Sequence, residues 1–293
     1  MKPAPFDYHR AASVDDAVEA LAATGGKVLA GGQSLVPILS MRLAAPPALV
    51  DINHIDRLDT IEVGDGGVRV GALVRHAGLE HDRAAYDANP LLRDALSHVA
   101  HATIRNRGTT VGSLVHADPA AEMPAVLALL GGYVEAVSRG RGRRRIEASD
   151  FFVGPLESAL TDAEMAVSAY FPDPPEGAGT AWLELSRRRG DFAMVGVGAM
   201  VRLEAGVVAA ASVSLVSVGP VPVVVDLTSA VTGDTADESD WADAVDLVDQ
   251  AIDPETDIHA SADYRRELAR VLSRRALTKA AAAARGRTIG GGT

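Results

Sequence analysis

Two short runs of glycine and hydroxyl residues, each leading into an amphipathic segment, constrain this chain more than any other feature. The first is "AGGQS", residues 30–34, inside "KVLAGGQSLVPILSMRLAAPPALVDIN". "KVLA" predicts a strand. "LVPILSMRLA" predicts a helix with Pro37 in its first turn, where a missing N–H costs nothing, and "ALVDIN" predicts a second strand. The loop therefore lies between a strand end and a helix start, a place where unpaired N–H groups favour phosphate. A plain strand–helix turn satisfies the same pattern. It is not a Walker A loop, since no Gly-Lys-Ser/Thr follows, and it is not GxGxxG.

The second run, residues 108–113, falls in "TIRNRGTTVGSLVHADPAAEMPAVLALLGG". It follows "ANPLLRDALSHVAH", a predicted helix with Asn89 as cap and Pro90 at its first position. It precedes another predicted helix, capped by Asp118 and opened by Pro119, with Met123, Val126, Leu127 and Leu130 on its buried face. Two amide-presenting loops suit a long ligand with a pyrophosphate better than a single phosphate. Two ordinary turns fit the residues equally well at this point.

Around these runs the chain alternates helix and strand signals. Ser13, three residues before Asp16, resembles a capping box; Val14, Ala17, Val18 and Leu21 make an apolar stripe, and Gly25-Gly26 ends that helix. "GYVEAVS", "RRIEAS" and "EMAVSAYFP" predict strands, and "FPDPPEGAG", residues 171–179, a linker. Beyond it "AWLELSRRRGDFAMVGVGAMVRLEAGVVAAASVSLVSV" predicts three successive antiparallel strands. "DWADAVDLVDQAI" and "ADYRRELARVLSRRALTKAAAAA" predict closing helices, and "RGRTIGGGT" a frayed end.

At 293 residues the chain predicts two or three packed subdomains. A net charge of −11 argues against broad nucleic-acid binding, which needs a basic footprint. The one basic run, "RGRGRRR" at residues 139–145, predicts a solvated hairpin turn; the functional alternative is a docking patch for an acidic partner. With no cysteine, the chain itself offers no disulfide, iron–sulfur ligand or thiol nucleophile. His98 and His101 stand three apart without a metal-binding spacing around them, so no protein-held metal is expected. No apolar run reaches membrane-span length and no signal core opens the sequence, so a cytoplasmic location is expected.

The order of these motifs resembles the FAD-binding (medium) subunits of the molybdenum hydroxylases, the group of xanthine dehydrogenases and aerobic carbon monoxide dehydrogenases. The resemblance runs from "FDYHRAASVDDAV" through "AGGQSL", "RLAAPPALVDIN", "IRNRGTTVGSLVHADPAAEMPA" and "SRRRGDFAMVGV" to "YRRELARVLSRRAL", nearly the whole chain. It implies an α+β fold: two N-terminal α/β subdomains of the para-cresol-methylhydroxylase type, residues 1–55 and 56–175, holding FAD between them. An antiparallel sheet with helices follows over residues 176–285, then a flexible tail, residues 286–293.

Carried over residue by residue, the resemblance implies that Leu29, Ala30, Gly31, Gly32, Gln33, Ser34 and Leu35 wrap the FAD pyrophosphate through backbone amides. Thr109, Thr110, Gly112 and Ser113 complete the clamp, and Glu122 reaches a sugar hydroxyl. Asp191 and Phe192 lie beside the isoalloxazine, with His101, Ile104, His116 and Met165 as further flavin neighbours. Bland readings compete: Glu122 as a first-turn acid, Phe192 as core, His116 as a surface residue. The family's second loop reads Thr-Ile-Gly-Gly-Ser/Asn; matched from Thr109, its first glycine becomes Val111. A β-branched residue at positive φ is strained, so Val111→Gly is expected to tighten FAD binding if the position needs that conformation.

The implied role is electron transfer, with no catalytic acid–base pair in this chain. A small partner carries two [2Fe-2S] clusters and a large partner the molybdenum cofactor, assembled as a dimer of heterotrimers. "RGRGRRR" and "SRRRGDF" are candidate docking surfaces for the iron–sulfur partner. The alternatives are a self-contained flavin oxidase and a flavin-free scaffold.

Overall fold

The computed structural model describes residues 2–235 and 241–290, with the side chains of 287–290 outside the description. Its first unit runs β1 (Asp7–Arg10), α1 (Val14–Thr24), β2 (Lys27–Leu29), α2 (Leu35–Ser40) and β3 (Ala48–Asp51). The strands pair in parallel in the order β1-β3-β2. All four residues of β3 are buried, as a central parallel strand covered on both faces requires. Helix α1 begins where the sequence places it: the Ser13 hydroxyl accepts from the Asp16 N–H at 3.1 Å, and the Asp16 carboxylate accepts from the Ala12 N–H at 2.8 Å. It ends on Gly25, left-handed at φ 61°, a conformation that costs glycine little.

The second unit contains β4 (Ile61–Gly64), β5 (Gly67–Gly71), α3 (His76–His81), α4 (Arg83–Ala88), α5 (Pro90–Leu96), α6 (Ala102–Arg105), α7 (Thr110–His116) and α8 (Glu122–Leu130). It continues through β6 (Tyr133–Ser138), β7 (Gly142–Glu147), α9 (Ala148–Phe151), β8 (Phe152–Gly154), β9 (Glu157–Ser158) and β10 (Glu164–Pro172). Its main sheet is antiparallel, ordered β4-β5-β10-β6-β7. Two expected caps are corrected here. Asn89 holds the N-cap position of α5 without a side-chain cap bond, because its amide donates instead to the Pro172 carbonyl at 3.0 Å. Asp118 caps a tight turn, accepting from the Ala120 N–H at 2.8 Å, and α8 starts only at Glu122. The expected buried face of α8 holds for Met123, Val126 and Leu127, while Leu129 takes the place expected for Leu130.

The "RGRGRRR" run forms the hairpin joining β6 to β7. Arg143 pairs with Glu135 at 3.0 Å, Arg144 with Glu164 at 2.7 Å and Arg145 with Glu147 at 2.6 Å, so most of its charge is engaged within the chain.

The third unit is an antiparallel meander, β11 (Ala178–Ser186), β12 (Ala193–Glu204), β13 (Val207–Val216) and β14 (Val223–Asp226), followed by α10 (Thr228–Val231), α11 (Ala242–Ala251) and α12 (Ala262–Gly290). Helix α12 therefore enters the segment read as a frayed tail; residues 291–293 lie outside the described residues. One face of the meander packs on α12 and the other on α5 and α8 of the second unit. Successive residues on a strand face opposite ways, so Ala181 joins the core under α12 while Trp182 joins the core of the first two units. Gly196 and Gly198 leave room for that indole: a Cβ at either would come within 2.9 and 3.2 Å of its ring. Trp182 thus ties the third unit to the second, alongside the site. Among the described residues no helix is long and apolar enough to cross a membrane.

Candidate functional site

Both glycine runs open on one cavity of about 1070 Å³. Ala30, Gly31, Gly32, Gln33, Ser34 and Leu35 form one wall of it. Gly32 is left-handed at φ 71°, and Gly31 sits against the other loop: a Cβ there would fall 2.5 Å from the Arg107 carbonyl oxygen and 2.8 Å from the Gly108 Cα. The two loops therefore touch backbone to backbone. Among the described residues, none of the N–H groups of residues 31–35 donates to a protein acceptor, whereas the N–H of Val36 already bonds to the Gly32 carbonyl at 3.0 Å. These residues line the cavity, so its wall carries backbone donors without a protein partner, a composition suited to an anionic or strongly accepting group.

The second loop is built by Thr109, the N-cap of α7, whose hydroxyl accepts from the Gly112 N–H at 3.2 Å. Glycine at 112 leaves room for that bond, since a Cβ would lie 2.5 Å from the Thr109 hydroxyl. Val111 is buried inside α7 and has no positive φ, so the expected strain is absent. Val111 lies in a helical turn, a conformation that a β-branched side chain tolerates, and Ser113 two residues on lines the cavity.

Of the other residues expected at the site, Ile104, Thr109, Gly112, His116, Glu122, Met165, Asp191 and Phe192 also line the cavity. Leu29, Thr110 and His101 do not. Leu29 ends β2. Thr110 is fully buried, its hydroxyl 3.3 Å from Nδ1 of His76. The exposed His101 ring lies against the β11–β12 loop: a Cβ on Gly190 would meet its Nδ1 at 2.5 Å. His76 itself, also on the cavity wall, has its pKa lowered to about 4 by burial and by the nearby Arg105, so it is neutral.

Sequence reading missed Leu156, Met194 and His259, which complete the wall from the turn before β9, from β12 and from the loop before α12. No local pattern marks them, because distant segments bring them in. It also missed Glu184. The Glu122 carboxyl is pushed well above the carboxylate range, first by burial and then by Glu184, and burial raises Glu184 likewise. Glu184 shares its strand face with Trp182, whose Nε1 donates to it at 3.2 Å. An acid two residues from a buried Trp in an alternating strand is the signal that sequence held.

Two families match this chain. One, described as the FAD binding domain in molybdopterin dehydrogenase, covers residues 4–174; the other, the CO dehydrogenase flavoprotein C-terminal domain, covers residues 180–280. Relatives include the 6-hydroxypseudooxynicotine dehydrogenase complex subunit alpha of Paenarthrobacter nicotinovorans, 39% identical across 96% of both chains. The carbon monoxide dehydrogenase medium chain of Afipia carboxidovorans is 34% identical, over 97% of this chain and 100% of its own. Among solved structures, quinoline 2-oxidoreductase from Pseudomonas putida 86 superposes with a TM-score of 0.92 at 35% identity, over 97% of this chain and 99% of that one. Fold and cavity together define an FAD-binding oxidoreductase subunit. The chain belongs to the family of FAD-binding medium subunits of molybdenum hydroxylases.

Proposed function

We propose that FAD lies along this cavity with its pyrophosphate over the amides of residues 31–35 and the Thr109 end of α7, and its ring toward Asp191, Phe192 and Met194. The observation that carries the reading is the contact of Gly31 with the Arg107 carbonyl, which sets two amide-bearing loops side by side on one cavity. The cradle fits the group: donors without protein acceptors line it, and Gly31 and Gly112 stand where a Cβ would part the two loops or displace the Thr109 hydroxyl. Glu122, held protonated by burial, is placed to hydrogen-bond a sugar hydroxyl. Met165 is a buried part of the wall, Met194 is half-buried, and exposed Leu156 and Phe192 stand at its edge.

Bound FAD supplies the capacity to take up and release electrons singly or in pairs; the protein binds, orients and tunes it. We read this chain as the electron-transfer subunit of a cytoplasmic assembly. A [2Fe-2S] partner is the donor, a large subunit carries the molybdenum cofactor, and the assembly is a dimer of heterotrimers. The family membership and the absence of cysteine in this chain support that division of labour. Native purification tests it. Expected are one flavin per copy of this chain, co-purifying subunits with iron–sulfur absorbance, and substrate-dependent flavin bleaching only in the assembly. A colourless chain that FAD does not reconstitute, or bleaching by the chain alone, overturns it.

A further inference from the structure

We propose that Asn53 and Arg75 are positioning residues that hold the two FAD loops from behind, engaging loop carbonyls so that the first loop's amides are left to the ligand. This rests on the FAD reading above. Neither residue lines the cavity, yet together they span both loops. The Asn53 amide nitrogen donates to the Ala30 carbonyl at 2.9 Å, with the Leu29 carbonyl a longer contact at 3.3 Å. Its oxygen accepts from Nη2 of Arg75 at 2.7 Å. Nη1 of the same guanidinium donates to the Arg107 carbonyl at 2.5 Å, the oxygen against which Gly31 rests. One amide and one guanidinium thus connect residue 30 to residue 107.

The C=O and N–H of a trans peptide point opposite ways. Drawing the Ala30 carbonyl toward Asn53 therefore turns the Gly31 N–H away from Asn53. Holding the Arg107 carbonyl fixes the seat on which Gly31 packs. The bracket is itself anchored. Asp51 accepts from the Asn53 N–H at 2.9 Å and its amide at 2.7 Å, and from the Tyr8 hydroxyl at 2.5 Å. Burial raises the Asp51 carboxyl, but the bonds from Tyr8 and Asn53 more than offset this and keep it ionised below its ordinary range. Arginine is required at 75 because only a planar fork can reach two acceptors in different directions at once.

The test uses the full chain stripped of flavin, titrated with FAD and with ADP, which carries the pyrophosphate without the ring. Arg75→Lys keeps the charge and loses the fork; Asn53→Ser is too short to reach the Ala30 carbonyl. Each is expected to weaken FAD and ADP together by about tenfold or more, the scale of a lost charge-assisted bond. Thermal midpoints of the flavin-free proteins are expected to stay close to wild type, and amides of residues 31–35 to exchange faster. The double variant is expected to lose little beyond the worse single one, since both act in one bracket. Unchanged FAD and ADP affinity in either folded variant overturns the proposal while leaving the FAD reading in place. A wild-type chain that binds neither ligand removes both.

Discussion

Gly31 rests on the carbonyl oxygen of Arg107, close enough that a single added methyl would come within 2.5 Å of it. The neighbouring atoms belong to backbone, so nothing can rotate aside and the loops must part. Gly31→Ala is therefore expected to weaken FAD binding on the order of 10–100-fold, matching the ~1–3 kcal/mol of a forced overpacking. Far-UV circular dichroism should remain that of the parent. Titration showing parental affinity would remove the loop–loop contact from the account.

The Glu122–Glu184 pair predicts how stability follows pH. A carboxyl whose folded pKa is raised favours the protonated form, so its contribution is present at low pH and lost as pH climbs. The window runs from the ordinary glutamate value of 4.5 up to about 8 for Glu122 and about 7 for Glu184. His76, lowered from 6.5 to about 4, acts in the opposite sense and costs stability as pH falls through that range. Glu184→Gln is expected to gain on the order of 1–2 kcal/mol over the parent at about pH 8 and little at about pH 5. Urea unfolding at both pH values measures the difference; equal gains at both would show that ionisation of the buried Glu184 carboxyl is not what costs stability.

Val111 supplies a third test. It is a buried residue of α7 with only 2% of its surface exposed, and no left-handed strain awaits relief. Val111→Gly is expected to cost about 2–4 kcal/mol through the lost side chain and the helix penalty, and to loosen FAD rather than tighten it. Chemical denaturation with a parallel FAD titration decides the sign. Tighter binding would restore the strain argument.

The glycine runs were legible because their signal is local. Strand, small residues and amphipathic segment sit next to one another, and Gly25, Ser13 and the meander of β11 to β13 obey the same short-range rules. The strain expected at Val111 is absent because the position lies inside α7, and a backbone conformation is not written in a residue type. Asn89 and Asp118 show the same limit: each sits near the helix start it was expected to cap, but the better partner for Asn89 is Pro172, far along the chain, and Asp118 closes a turn of its own.

The chain by itself determined its elements, its cysteine-free chemistry and two loops able to present amides, because these follow from neighbours in sequence. Only the folded structure decided that Gly31 meets Arg107, that Asn53 and Arg75 stand behind both loops, and that Glu184 shares a buried environment with Glu122. Those contacts join residues tens of positions apart, and their energies exist only once packing has excluded water from between them.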